Sequence, residues 1–393
     1  MKKSLALLLS LVLTAGLLSA CGKGETPAPS SSMPDEPAVS VLAPVDEPEP
    51  EPEPEPVLPY VNPLTGEGSA VDLANARPVA IMLNNLKKAL PQLGVSQADL
   101  IYELPAEGGI TRMMAVFQSV EGVGDLGSVR SARDYYVSLA RGHDAVFLHA
   151  GGSPQAYSAI KSMGVTALDC VNGPYEGTLF WRDKTRKKQM GLEHSVLTSG
   201  QTIQELLPTY GKRLEHKDGF SYPISFLPEG ETASGDPAET VSVRFSDYKT
   251  GVFTYDAQAG LYRVSEYGSA YVDGNTGEQV QVKNVLILRT DVSAIKGDDK
   301  GRQSVRTTGT GSGQLFCDGR VQDITWSRSS DSSPMTYLDA AGNPLRLGVG
   351  PSYINIVGRQ PLYPNLTRIL HVFPLPRLAN PGEGDYNIFK RLK

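Results

Sequence analysis

An α/β N-terminal domain followed by a mostly antiparallel β C-terminal domain is the architecture expected of this 393-residue chain. Three observations carry that expectation. Apolar runs alternate with helix-spaced segments in the first half; a Pro/Gly/Ser-rich connector, FLPEGETASGDPAET, interrupts the pattern near residues 225–240; after it come only short β-branched and aromatic runs separated by turns. About 330 residues beyond the N-terminal segments are also more than one simple core accommodates, so two domains, over 59–232 and 238–390, are expected.

RPVAIML (77–83) reads as a buried strand, and ADLIYEL (98–104) and TRMMAVFQ (111–118) as two more. SARDYYVSLARG (131–142) places Ala132, Tyr135, Tyr136 and Leu139 at helical spacing and stops at Gly142. AVFLHA (145–150) is a strand. SPQAYSAIKSMG (153–164) is a helix with Ser153 as N-cap, Pro154 in its first position and Gly164 past its end. QTIQELLPTYG (201–211) is a further short helix. After the connector, ETVSVRFS, GVFTYDA, LYRVSEYG, NVLILRTDV, GSGQLFCDG, VQDITWSR and YINIVG read as strands parted by turns such as DGNTG, CDG and AAGN.

The chain begins MKKSLALLLSLVLTAGLLSAC, with two lysines, an apolar run too short to span a bilayer comfortably, and small residues before Cys21. That is an export signal, and Leu18-Ser19-Ala20-Cys21 fits the bacterial lipobox, in which Cys21 accepts a diacylglycerol whose acyl (palmitate) chains anchor the mature chain. Residues 1–21 are thus expected to be a lipoprotein signal peptide. The segment 22–58 is rich in Pro, Ser and Glu, and VDEPEPEPEPEPV alternates charge with proline. Proline removes backbone donors and the carboxylates repel one another, so this stretch is expected to be an unfolded stalk reaching on the order of 100 Å. The expected location is the outer face of the bacterial cytoplasmic membrane, with the lipid on Cys21 as the contact to it.

The net charge of −6 belongs to the stalk, because residues 21–60 carry one lysine against nine acids and residues 61–393 sum to zero formal charge. No basic field covers the folded part, which argues against nucleic acid as a partner. Beyond Cys21 the cysteines are Cys170 and Cys317, far apart in sequence; one disulfide between them is left open. Neither has metal-ligand spacing, and no metal or cofactor is expected.

Four polar clusters could carry chemistry. GSVRSARDYY places Arg130, Ser131, Arg133 and Asp134 at the start of a helix, where arginine forks and helix amides suit a carboxylate or phosphate. His149-Ala150-Gly151-Gly152-Ser153-Pro154 is a strand-to-helix turn of the kind beyond which α/β sheets collect ligands. Its serine is better explained as a cap than as a nucleophile, and His149 reads equally as a core histidine. ELPAEGGITR brings Glu103, Glu107 and Arg112 around a turn, as an acid/base pair or as an ion-paired turn. FWRDKTRKKQMGLEHSVLTSG offers Arg182, Asp183, Arg186, Lys187, Lys188 and His194, a basic surface loop or one wall of a cationic cleft. Trp326, Arg328 and Tyr353 fit either an aromatic platform for carbohydrate or core packing.

The succession RPVAIMLNN, GVSQADLIYELPAEGGITRMMAVFQ, GSVRSARDYYVSLA, HDAVFLHAGGSPQA and FWRDKTRKKQMGLEHSVLTSG resembles the YerB-type lipoproteins of Gram-positive bacteria, and ITWSRSSDSSPMTYLDAAGNPLRLGVGPSYINIV resembles that family's C-terminal domain. The resemblance covers roughly residues 58–390; GLEHSV departs from it, lacking a proline before the histidine and an asparagine after it. It implies a two-domain extracytoplasmic lipoprotein and no established activity. From the residues, the first functional reading is a module binding an anionic cell-envelope ligand, such as a wall polymer, through Arg112, Arg130, Arg133, Asp134, Arg182 and the Gly151–Ser153 turn. A hydrolase or transferase on a phosphate-linked or glycosidic polymer is the alternative, with His149, His194 and Glu107 as acid and base. A scaffold for an envelope protein complex is a third.

Overall fold

The computed structural model describes residues 58–359. The signal peptide, Cys21, nearly all of the stalk and residues 360–390 of the expected β domain lie outside the described residues. Strands dominate. In the first half they are β1 (Val79–Asn84), β2 (Leu100–Pro105), β3 (Thr111–Phe117) and β4 (Asp125–Gly127), then β5 (Val146–His149), β6 (Ala167–Asp169), β7 (Trp181–Arg182) and β8 (Val196–Ser199). The helices are α1 (Asp134–Gly142), α2 (Pro154–Met163), α3 (Lys184–Gln189) and α4 (Gly200–Leu206). The second half contributes β9 (Thr240–Arg244), β10 (Thr250–Asp256), β11 (Leu261–Glu266), β12 (Asn284–Thr290), β13 (Gly309–Cys317), β14 (Arg320–Arg328) and β15 (Ser352–Gly358). None of the helices among the described residues is long and apolar enough to cross a membrane.

One sheet of 11 strands runs through both halves, in the order β14-β13-β12-β15-β2-β3-β1-β5-β6, with short strands at Asp236–Pro237 and Thr336–Leu338 on its β14 edge. β15 lies parallel to β12 on one side and parallel to β2 on the other. The halves expected as separate domains therefore share backbone hydrogen bonds, and contacts group the described residues into one unit. β1, β5 and β6 are parallel neighbours, and β3 runs antiparallel to β1 and β2. Strands buried on both faces read as unbroken apolar runs, and VAIMLN of β1 is buried at every position.

Because side chains alternate across a strand, the sheet separates two hydrophobic clusters. Ala80, Met82, Tyr102 and Phe147 pack with Tyr135 and Tyr136 of α1 and Ala156 of α2. Ile81, Leu83, Ile101 and Leu148 face the other way, toward Val241, Phe253 and Val264 of the small antiparallel sheet built on β9-β10-β11. Cys170 belongs to one cluster and Cys317 to the other, and both are free thiols. Trp326, Arg328 and Tyr353 are 1%, 2% and 0% exposed, so they are core rather than a carbohydrate platform.

The element ends show which local signals prevailed. Ser153 Oγ accepts the Ala156 amide at 3.1 Å, Pro154 opens α2 and Gly164 closes it in the left-handed region at φ 61°. α1 begins three residues later than its apolar spacing suggests: its N-cap is Arg133, with no side-chain cap, and Ser131 Oγ instead donates to Ala150 O at 3.0 Å.

A buried ionic cluster joins the β9-β10-β11 sheet to the central one. Lys249 Nζ lies 2.6 Å from Glu266 Oε1 and 3.3 Å from Glu103 Oε1. Thr111 Oγ1 and Asn85 Nδ2 donate to Glu103 Oε1 at 2.6 and 2.8 Å, and Tyr353 Oη donates to Glu103 Oε2. All three ionisable groups are essentially inaccessible. Burial outweighs the attraction of Lys249 and, helped by the neighbouring Glu103 charge, raises the Glu266 carboxyl well above the glutamate range.

Two outcomes follow. Lys249→Met leaves two carboxylates without their counter-ion and lowers stability by about 3–5 kcal/mol in a denaturant titration at neutral pH. Glu266 binds its proton more tightly folded than unfolded, so its contribution falls as pH rises from the ordinary glutamate range through about 7. Glu266→Gln is therefore expected to gain melting temperature relative to wild type between about pH 5 and about pH 8, and a difference that does not change with pH contradicts this.

Candidate functional site

The pocket that draws the polar clusters together lies beyond the carboxyl ends of the parallel strands β1, β5 and β6. It holds about 710 Å³ and is lined by Lys88, Arg130, Ser131, Gly151, Gly152, Tyr157, Val171, Asn172, Arg182, Leu192 and Glu193, among others. That volume is in the range of small-molecule sites.

Backbone hydrogen bonds bring its walls side by side. Arg130 N donates to Met82 O at 2.9 Å, Ala150 N to Arg130 O at 3.0 Å and Ala132 N to Gly151 O at 2.9 Å, so the GSVRSA stretch is extended between the end of β1 and the HAGGSP turn. Val129 N donates to Val196 O at 2.8 Å, which draws in the third wall. That wall is the excursion between β7 and β8, strands paired at Arg182 and Val196. Gly151 sits at φ 75°, a conformation that disfavours any side chain, and its amide donates to Asp169 Oδ1 at 2.7 Å. Asp169 also accepts the Val171 amide at 2.9 Å and the Tyr157 hydroxyl at 2.8 Å, which holds the far rim.

The two pocket arginines are only partly occupied. Arg130 Nη1 donates to Glu193 O at 2.8 Å and Glu193 Oε2 at 3.1 Å; its Nε and Nη2 have no hydrogen-bond partner among the described residues. Arg182 Nε donates to Glu176 Oε1 at 2.8 Å and Nη1 to Leu192 O at 3.0 Å, with Nη2 left over among the described residues. The partnering carboxylates are well exposed, with side-chain exposures of 64% for Glu193 and 46% for Glu176. Partial burial works to raise the Glu193 carboxyl, but the Arg130 guanidinium beside it prevails and holds it below its usual value.

Other expected residues stand elsewhere. Glu107 receives Arg112 Nη2 at 2.6 Å, Arg133 Nε at 3.1 Å and a short contact from Arg133 Nη2. Burial pushes this carboxyl up and the two guanidiniums more than reverse it, leaving a lowered pKa, the opposite of what a general acid needs. Arg112 is 4% exposed, donates to Ser131 O at 2.6 Å, and is lowered to about 10, mainly by burial. Arg112, Arg133 and Glu107 thus form an ion-paired wedge beneath the pocket wall and do not line it. Asp134 is the first residue of α1, where burial raises its carboxyl against helix-amide hydrogen bonds.

His149 is 1% exposed, with Nδ1 2.9 Å from Gly151 O and Nε2 buried without a partner; burial lowers its pKa despite Asp169. His194 is 2% exposed, its Nδ1 2.7 Å from Asn84 Nδ2, and burial followed by the Arg130 charge lowers its pKa as well. Neither ring lines the pocket, nor does Ser153. Arg186 is structural, donating to Ala89 O at 2.6 Å and Pro91 O at 2.9 Å. Sequence reasoning passed over Lys88, Tyr157, Asp169, Asn172 and Glu193. Glu193, next to His194 in a quoted motif, was the only one within a singled-out stretch of charge. Among the described residues no group of three or more His, Cys, Asp or Glu is placed to hold a metal ion.

Glu107→Gln removes the one carboxylate that Arg112 and Arg133 share and is expected to cost about 3 kcal/mol in a denaturant titration. The pocket lining is unaltered by this change, so anion binding by the folded variant should match wild type; a loss of binding at unchanged stability would place Glu107 in the site after all.

Comparison with known proteins supplies the remaining context. Residues 64–213 match the family described as "Protein of unknown function (DUF3048) N-terminal domain" and residues 241–354 its C-terminal domain. The chain is 36% identical over 274 residues, 68% of its own length and 77% of the relative, to "Putative lipoprotein YerB" of Bacillus subtilis (strain 168). A crystal structure of the YerB protein from Bacillus subtilis superposes with a TM-score of 0.66 at 31% identity, over 76% of this chain and 96% of that one. With an N-terminal and a C-terminal match in the same order and this identity along most of the relative, the chain belongs to the two-domain DUF3048 family of YerB-type proteins.

Proposed function

We propose that the protein is a lipid-anchored lipoprotein of the outer face of the cytoplasmic membrane, which binds an anionic cell-envelope ligand in the pocket of Lys88, Arg130 and Arg182. The name of its Bacillus relative and the lipobox ending in Cys21 support the anchor. The observation that carries the binding reading is the pair of guanidiniums with unpartnered donors, set beside the Gly151-Gly152 backbone at the ends of parallel strands. Of the arginines expected to bind, Arg130 and Arg182 take that role; Arg112 and Arg133 support the wall behind them.

The geometry favours binding over turnover. Both histidine rings are buried and Glu107 is neutralised by two cations; His194 Nε2 lies 3.4 Å from Oε1 of the pocket-lining Glu193, but its ring is only 2% exposed and burial lowers its pKa, which disfavours it as an acid toward a substrate. Less supports a scaffold: in the second half Tyr248 and Val349 are the exposed large apolar residues among those described, and isolated residues do not make an interface.

The test is retention on a purified phosphate-rich wall polymer. Arg130→Ala combined with Arg182→Ala removes two sets of charge-assisted hydrogen bonds and should weaken retention by about a hundredfold, whereas Arg346→Ala, an exposed arginine elsewhere, should leave it unchanged. Equal retention by the double variant and wild type sinks the reading.

A further inference from the structure

The pocket is not uniformly polar, and that narrows its ligand. Leu192 and Val171 are 54% and 51% exposed, large apolar residues in the open, and both line the same pocket as the three cations. Each is presented by a backbone that charged side chains hold in place. Leu192 O accepts Arg182 Nη1 and the next carbonyl, Glu193 O, accepts Arg130 Nη1, so the turn carrying Leu192 is fastened by the pocket's own arginines. The Val171 amide is fixed by Asp169 Oδ1. Met190 and Val196 add to the apolar lining of the same pocket.

A small hydrophilic anion would satisfy the guanidiniums and leave this rim wet. A purely apolar ligand would cover the rim while stripping water from three cations without compensation, which is costly. Lys88, Arg130 and Arg182 against Glu193, with Glu176 paired to Arg182 just outside the lining, leave one to two net positive charges around the pocket, matched by a group carrying between one and two negative charges.

Resting on the anion-binding reading above, we infer that the pocket takes an amphiphilic phosphate: a phosphate monoester whose head sits among Lys88, Arg130 and Arg182 and whose apolar chain lies over Leu192 and Val171. The same chemistry is offered by a phospholipid head with its chain drawn out of a bilayer and by a soluble alkyl phosphate.

The probes are inorganic phosphate, octyl phosphate below its micelle concentration, and octanol, titrated calorimetrically into the protein. Octyl phosphate is expected to bind at least about tenfold tighter than inorganic phosphate, since burying two methylenes suffices for that factor, and octanol not measurably. Leu192→Ser with Val171→Ser should reduce octyl phosphate to the affinity of inorganic phosphate while leaving the latter unchanged. Equal affinities for octyl and inorganic phosphate in wild type overturn this inference and leave the anion site standing. Octyl phosphate binding undiminished by Arg130→Ala and Arg182→Ala overturns both, because the chain alone then accounts for it. Vesicles containing phosphatidate distinguish the sources: co-sedimentation that depends on Leu192 and Arg130 indicates a bilayer lipid, and binding of octyl phosphate without co-sedimentation indicates a soluble amphiphile.

Discussion

The insertion of β15 between β2 and β12 is the interaction on which the rest of the structure depends. It is the last described strand in the chain, yet it occupies the interior of the central sheet, parallel to a neighbour from each half. Six of its seven residues are buried. Parallel strands need both faces covered, and the two faces here are covered by α1 and α2 on one side and by the β9-β10-β11 sheet on the other. Without β15 the central sheet is cut between β12 and β2, leaving the halves joined by smaller contacts such as Gly274 N donating to Gln92 O at 2.6 Å.

Register at this seam is specified by polar groups as well as by apolar packing. Tyr353 of β15 reaches Glu103 of β2, and Lys249 bridges that carboxylate to Glu266 of β11. A slip of β15 by one residue would turn Tyr353 to the opposite face and leave Glu103 short of a donor inside a dry interior. Such a cluster is a poor source of net stability, because desolvating its charges consumes most of their attraction. Its role is better understood as penalising wrong pairings of four segments that are remote in sequence. It also explains why a lysine in the turn SDYKTG, whose local context reads as solvent-exposed, is completely buried.

Individual strands were legible because their signals are local. The period-two and all-apolar runs place β1, β2, β3, β5 and the strands of the second half within a few residues of where they lie, and Ser153, Pro154 and Gly164 mark α2 to the residue. What local patterning lacked was partnership. Nothing in YINIVG shows that it pairs with both LIYELP and NVLILRT, so a shared sheet was out of reach of periodicity. The spacing of Ala132, Tyr135, Tyr136 and Leu139 predicts that α1 starts at Ser131; a backbone bond from Ala132 N to Gly151 O holds that segment extended instead. In the site, residue types were readable and their pairings were not. Arginine and glutamate sort into buried structural pairs or pocket-lining groups by depth, a property no spacing encodes.

That sorting gives the cluster its logic. Arg112 and Arg133 are nearly buried and share one carboxylate, Glu107, with two-point contact to Arg133, so neither has reason to leave it. Arg130 and Arg182 are fastened mainly by main-chain carbonyls and touch carboxylates that stand in water. An exposed ion pair contributes only about 0–1 kcal/mol, so Glu193 and Glu176 can swing aside at little cost when a better-placed anion arrives. The carbonyl contacts from Leu192 and Glu193 need not break, because the arginines keep other donors free. The guanidiniums would thus be positioned before a ligand enters, with their planes set by the turn they hold, and association would consist of exchanging two mobile carboxylates and water for one fixed anion. The inner wedge braces the wall and the outer pair lines the pocket with donors to spare; four arginines of one chemical type stand in two settings because the sheet buries one pair deeper than the other.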